Sequence, residues 1–308
     1  MQQLVVGVGG ANVDIHGRSD APILMRDSNP GILHLSAGGV CRNICDNLCR
    51  LGVPVSFVGA VGDDHFGSVL LDSCRAVGMD VSHTRVFPGE RSGSYISIMD
   101  DAGDMLVGMS DMSILGRMGP EFAAELRPLL AQASVCVTDT NLPTETLAAL
   151  ADACDAPVFI DPVSCAKAKK LVPVLGKFHT IKPNRMEMEI LAGCNIPDLF
   201  ALDAACDAVL AQGVQRLFVS LGADGLFYKD ASGISLHEKS RPFPMTNATG
   251  AGDAALAGLV YAWLQGMPPK ETLQFAIGAS LVAIDCADTI HPAMSPALVQ
   301  QYSKEYVS

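Results

Sequence analysis

Basic residues are scarce in this chain: 21 Lys and Arg stand against 33 Asp and Glu, a formal charge of −12 over 308 residues. Binding a polyanion needs a basic face, so no nucleic acid and no anionic membrane is expected as a partner. The amino terminus, Met1-Gln2-Gln3-Leu4-Val5-Val6-Gly7-Val8-Gly9, has no basic n-region and too short an apolar run for a signal peptide or a membrane span. A soluble, cytoplasmic protein is the simplest expectation. None of the ten cysteines forms a Cys-x-x-Cys pair, which argues for a reduced compartment and thiols used as small hydrophobes. Also missing are a Gly-x-x-x-x-Gly-Lys-Ser/Thr run, His-Arg-Asp with Asp-Phe-Gly, and His-Glu-x-x-His, which removes P-loop, protein-kinase and zinc-protease chemistry. There is no internal repeat, low-complexity tract or long linker, so one continuous domain over 1–308 is expected.

What the chain does have is Thr246-Asn247-Ala248-Thr249-Gly250-Ala251-Gly252-Asp253, followed by a small, apolar, helix-forming run over 254–264. Gly250 and Gly252 let the backbone turn tightly and approach a ligand, and a helix opening at Ala251 leaves its first N–H groups without intrahelical partners. Those donors, with the positive end of the helix dipole behind them, suit an anion. Asp253 is out of place in a plain anion site unless it accepts a proton. Amides for a phosphate and a carboxylate for an attacking hydroxyl together suit phosphoryl transfer. The competing reading is a capped helix start and nothing more. Gly250-x-Gly252-x-x-Ala255 also fits a dinucleotide fingerprint, but Pro242, Pro244 and Asn247 stand where that motif needs a buried strand.

Residues 4–9 read as a buried parallel strand ending in Gly9-Gly10-Ala11-Asn12-Val13-Asp14. Ligands collect at the carboxyl ends of such strands, so Asn12 and Asp14 are candidates to grip a polar substrate, with plain turn formation as the alternative. Ser36-Ala37-Gly38-Gly39 precedes a helix over 40–51 whose first turn carries Asn43, where backbone and amide could meet sugar hydroxyls. Cys41, Cys45 and Cys49 share one face of that helix, and buried packing is favoured over a metal site because no His or carboxylate repeats with them. A second strand is expected over 55–61, then a helix capped by Asp63-Asp64. Alternation over 94–99, a turn at 100–103 and a return from Met105 predict a hairpin. Segments at about 15–36 and 85–110 are expected to form a small sheet covering a ligand as a lid.

Beyond that point strands at 135–138, 158–161, 180–182 and 217–220 alternate with helices starting near Thr144, Asn184 and Asp203. Helices at 251–264, 270–284 and 296–306 follow. The pattern is that of an α/β protein with a mostly parallel central sheet. Asn184 and Glu187 lie three apart on a first helical turn and could organise the water shell of Mg²⁺, or could simply cap the helix. Ser220-Leu221-Gly222-Ala223-Asp224-Gly225 gives a loop able to approach a nucleotide, or a plain hairpin. Asp161-Pro162 ends another strand, near the metal or in an ordinary turn.

Taken in order, these segments resemble the ribokinase-like (PfkB) carbohydrate kinases from end to end. The carboxyl-terminal signature of that family is matched at 247–253, its amino-terminal signature at Gly38-Gly39-Val40-Cys41-Arg42-Asn43 with Gly52 and Gly62, its magnesium and phosphate motif at Asn184-x-x-Glu187, and its ATP loop at 220–225. Residues 11–17, 28–31, 38–44 and 161–164 are most similar to the branch of the family that phosphorylates pseudouridine. The resemblance implies a ribokinase-like three-layer sandwich and an ATP- and Mg²⁺-dependent transfer to the 5′-hydroxyl of that nucleoside. It further implies Asp253 as base, the amides of Gly250, Ala251 and Gly252 as anion hole, and Asn12, Asp14, Gly38, Gly39, Asn43 and Asn141 at the ribose. Ser28 and Asn29 would reach the nucleobase, Asn184, Ser220, Gly222 and Gly225 the nucleotide, and Glu187 the metal. Asn247 replaces an Asp that helps many members bind a monovalent cation, which leaves K⁺ activation open. Lid strands could pair two copies into a homodimer. Another nucleoside or sugar acceptor, as in a ribokinase, and a nucleoside sensor without catalysis are the alternatives.

Overall fold

The computed structural model describes residues 3–307 and is organised around an eight-stranded sheet. In spatial order its strands are Ser235–Glu238, Leu226–Asp230, Arg216–Ser220, Thr180–Ile181, Val158–Asp161, Val135–Asp139, Val5–Val8 and Val55–Val58. Pairing is parallel from Val55–Val58 through to Arg216–Ser220 and antiparallel for the last two strands at that edge. The antiparallel edge departs from the uniform strand and helix alternation expected for this half. Ser235–Glu238 is too short and too polar to register as a strand by pattern.

The parallel strands are short β-branched runs because both of their faces are covered. Val5 packs among the helices Val40–Arg50, His65–Ala76, Ala251–Leu264, Pro269–Ile284 and Pro296–Tyr306 on one side. Val6 and Val8 face the opposite core, with Thr144–Ala153, Arg185–Ala192 and Leu199–Leu210. The result is three layers. Leu199–Leu210 starts four residues before the expected Asp203, because Asp198 caps it by accepting from the Ala201 amide at 2.8 Å. No helix among the described residues is long and apolar enough to cross a membrane.

The cysteine spacing has a packing explanation. A Cβ on Gly7 would stand 2.2 Å from Cys45 Sγ, and one on Gly9 2.6 Å from Cys41 Cβ. The buried thiols therefore rest on two glycines of the first strand, drawing the helix against the sheet. Gly7→Ala is expected to cost about 1–3 kcal/mol through overpacking. Adding Cys45→Ala should recover most of that loss, as read from denaturation midpoints; a single variant as stable as the parent would show the contact to be slack.

A second sheet has the order Gly31–Gly38, Asn12–Ser19, Ser94–Met99, Met105–Asp111. Asn12 and Asp14 lie on one of its strands rather than in a turn after Val5–Val8, so this sheet begins at residue 12 and not near 15. Val13 is held there by the hydrogen bond its amide donates to the Gly93 carbonyl at 3.0 Å. The strand expected over 55–61 also divides. At Gly59 the chain bends over the Phe57 ring, and Ala60–Gly62 leaves the central sheet to pair with Arg85–Phe87.

Candidate active site

Ala251–Leu264 begins behind Gly250, which adopts φ 85°, and its first intrahelical bond runs from the Ala254 amide to the Gly250 carbonyl at 2.9 Å. The N–H groups of Ala251, Gly252 and Asp253 precede that bond, so the helix presents donors and its dipole at this point. Asp253 stands among them, 9% exposed, with its Oδ2 accepting from Asn43 Nδ2 at 2.8 Å. Burial, followed by the nearby Asp161 charge, pushes the Asp253 carboxyl up to about 7, against the Asn43 hydrogen bond and the Lys182 cation. A carboxylate titrating near neutrality beside the amides of a helix's first turn is equipped to take a proton from an alcohol while those amides hold an anion.

The amide that holds Asp253 is itself oriented. Arg42 Nη2 donates to Asn43 Oδ1 at 2.8 Å, which leaves Nδ2 to face Asp253. Arg42 is 3% exposed and also contacts Asp46 at 3.4 Å. Removing the amide in Asn43→Ala deletes a bond that favours ionised Asp253, so its pKa rises above about 7. The acid limb of the pH profile for kcat/KM should move to higher pH in that variant. A limb that stays in place would disconnect Asn43 from the base.

Gly39 starts the Asn43 helix so close to the first strand that a Cβ there would lie 2.6 Å from Ala11 Cα and from the Gly10 carbonyl. Next to it, a Cβ on Gly38 would lie 2.1 Å from Asp14 Oδ2. Asp14 accepts from Asn12 Nδ2 at 2.6 Å, and burial raises its carboxyl against that bond. Asn141 joins this group through Asp139, which is fully buried. One Asp139 oxygen accepts the Asn141 amide at 2.8 Å, and the other accepts those of Cys41 at 2.9 Å and Gly10 at 3.2 Å. Lys167 donates to Asn141 Oδ1 and fixes the second amide of the pocket.

At the neighbouring strand ends, Asn184 and Glu187 form a reciprocal capping box, with Asn184 Oδ1 accepting the Glu187 amide at 2.9 Å and Glu187 Oε2 the Asn184 amide at 2.8 Å. Asn184 bridges Ser220 along the backbone, which puts the 220–225 loop beside the box. Gly222 and Gly225 turn that loop back as a hairpin into Leu226–Asp230. The capping and hairpin readings are therefore both present, and neither consumes Glu187 Oε1. Lys182, 4% exposed, lies 3.0 Å from Asp161 Oδ2. Burial alone would lower its pKa, but Asp161, Glu187 and Asp253 outweigh that and raise it, so the amine stays charged.

Residues 2–296 match the pfkB family of carbohydrate kinases. The chain belongs to this family. Over 296 residues it is 39% identical to the pseudouridine kinase of Escherichia coli strain K12, covering 96% of this chain and 95% of that one. It is 34% identical over 297 residues to YeiI, an uncharacterized sugar kinase of the same strain, covering 96% and 82%. Its fold superposes on a ribokinase of Arabidopsis thaliana, solved with ribose and ATP, with a TM-score of 0.87, 22% identity and 99% coverage of both chains. The fold is thus the ribokinase-like α/β fold, and the protein is a phosphotransferase acting on a hydroxyl group.

This PfkB kinase does not bring every expected residue together. Ser28 is exposed, and the Asn29 amide closes its own loop, bonding Leu24 N and O at 2.8 and 3.0 Å and Asp27 O at 3.1 Å. Among the described residues no hydrogen bond links either residue to the rest of the pocket. Four residues of the pocket lie outside the expected set: Arg42, Asp139, Lys167 and Lys182. Asp139 and Lys182 did carry a signal, since each stands at the carboxyl end of an expected strand, where ligands collect.

Proposed function

We propose that this kinase transfers the γ-phosphoryl group of ATP to the 5′-hydroxyl of pseudouridine. The acceptor rests on one observation, the 39% identity to the Escherichia coli pseudouridine kinase over nearly the whole of both chains. In the reaction Asn12, Asp14 and the Gly38-Gly39 backbone hold the ribose, and Asn43 keeps Asp253 aimed at the hydroxyl. Asp253 takes the proton as the oxygen attacks, and the amides of Gly250, Ala251 and Gly252 receive the charge on the phosphoryl oxygens.

Magnesium, when bound, would supply positive charge that offsets the charge of the phosphates. Among the described residues no group of three His, Cys, Asp or Glu could hold a metal by itself, which fits an ion that keeps its waters and leans on phosphate. Glu187, whose Oε1 accepts no hydrogen bond among the described residues, and Asn184 would meet its water shell. A monovalent cation fits less well: Asn247 Oδ1 accepts the Thr249 amide and its Nδ2 donates to the Ala287 carbonyl, both at 2.9 Å. No step is assigned to K⁺.

The test is ATP turnover with magnesium against pseudouridine, uridine, inosine, adenosine, ribose and fructose 6-phosphate. Strong preference for pseudouridine is expected. Preference for another member would leave the transfer chemistry and move the acceptor.

A further inference from the structure

Lys182 is a buried cation without an obvious structural need, because its own strand is already held in the sheet by backbone bonds. The Lys182 amide donates to the Ile160 carbonyl at 3.1 Å, and Thr180 and Ile181 pair with Phe159 and Ile160. Both side chains of the Lys182–Asp161 pair are at most 8% exposed. Taking such a pair out of water costs free energy that its attraction does not dependably return, so its position is informative.

That position is the N-terminus of the Ala251–Leu264 helix. A Cβ on Gly252 would stand 3.4 Å from Lys182 Nζ, so the ammonium lies beside Gly252 in the first turn of this helix. It is also held from behind. Asp161 Oδ2 meets the ammonium while Oδ1 accepts the Val163 amide at 2.7 Å. Val163 sits at φ 65°, where a β-branched residue is strained, in a tight turn closed by the Ser164 amide on the Pro162 carbonyl at 2.7 Å. Strain of this kind persists where the surroundings impose a geometry. Here it aims one carboxylate at one lysine.

We propose that Lys182 is a catalytic residue whose ammonium contacts the transferring phosphoryl group, alongside the amides at the start of the Ala251–Leu264 helix. This rests on the reading of Asp253 and those amides as the place of transfer. In the step, the bond from the γ-phosphorus to its bridging oxygen breaks and leaves its electron pair on ADP. The acceptor oxygen forms the new bond and gives its proton to Asp253. Lys182 keeps all its protons; it offsets charge on the non-bridging oxygens and returns to Asp161 when the product leaves. Asp161 and Glu187 both bear carboxyl groups, so without a cation there the phosphoryl group would meet acidic side chains on that side.

The experiment compares Lys182→Met, Asp161→Asn and the double variant for kcat, acceptor KM and melting temperature, with whichever acceptor the parent enzyme turns over. Loss of one preorganised donor typically costs about 10²–10³-fold in kcat, and that loss is expected in Lys182→Met with acceptor KM nearly unchanged. Lys182→Met also strands the Asp161 carboxylate. The double variant removes that stranded charge, so its melting temperature should recover while kcat stays low. Recovery of kcat together with stability would make the pair structural and overturn the proposal, as would a parent-like kcat in Lys182→Met. Failure of the pseudouridine reading looks different, because the parent enzyme itself would then prefer another acceptor.

Discussion

Replacing Asp253 with Asn is expected to lower kcat by roughly 10²–10⁴-fold and, above neutral pH, to make the folded protein more stable. The first effect follows from placement. Asp253 is the carboxylate among the first-turn amides and is held in one orientation by Asn43. An amide side chain keeps an oxygen for that bond but has no basic site for a proton. The second effect follows from burial, which places the folded pKa at about 7 against 3.8 for the free side chain. Between those values the folded state holds a proton that the unfolded state has released. Stability therefore falls as pH rises through this window, and above about 7 the full cost of ionising a buried carboxylate is present. At about 1.36 kcal/mol per unit this is at most about 4 kcal/mol. Asparagine carries no such cost. Melting curves of parent and variant should diverge as pH is raised from about 4 to about 7 and keep a steady gap above that, with the variant higher. A gap that does not change between pH 4 and 7 would remove the buried, proton-holding carboxylate, and undiminished turnover would remove Asp253 from the role of base.

How much of this was readable in the chain depends on how far apart the partners lie. The helices Ala251–Leu264 and Pro296–Tyr306 have the limits expected from pattern, because apolar runs and local stops define both. Asn184 with Glu187, and Gly250 with Asp253, are three apart, so a turn of helix brings each pair together without help from the fold. Asn43 and Asp253 are 210 residues apart, and their hydrogen bond needs the whole sheet to exist. Asp139 is the extreme case. Its carboxylate joins amides 98 and 129 residues away, and a lone Asp at a strand end gives no sign of that. Of the strand Asn12–Ser19 only the start escaped, for a different reason: Asn12-Val13-Asp14 follows two glycines and reads as a turn until Gly31–Gly38 and Ser94–Met99 pair with the strand's two edges. The resemblance to PfkB kinases supplied roles for the local motifs. It gave no role to Arg42, although the signature contains it, or to Lys182; both are placed by what they touch in three dimensions.

Gly250→Ala should be strongly damaging to both stability and turnover. The residue adopts φ 85°, which a side chain disfavours, and an added Cβ would stand 2.0 Å from the Thr289 carbonyl oxygen. That neighbour is backbone, so the clash cannot be relieved by a side-chain rotation; either the loop carrying Thr289 or the start of the helix must move. The expected loss of stability is about 2–4 kcal/mol, combining backbone strain with the steric shift. Turnover should fall further than the loss of folded protein accounts for, since a displacement of about 1 Å at a preorganised site can cost about 10²-fold. Gly78→Ala separates the two contributions. Its φ is 78°, yet nothing lies within 4 Å of the new Cβ, so only the backbone cost of about 1 kcal/mol is expected. Stability by denaturant titration and kcat per folded molecule would be measured for both. Equal damage at the two positions would mean that left-handed backbone alone matters. Damage concentrated at Gly250 in kcat would instead tie the Thr289 contact to the placing of the helix amides, and hence of Asp253 three residues on.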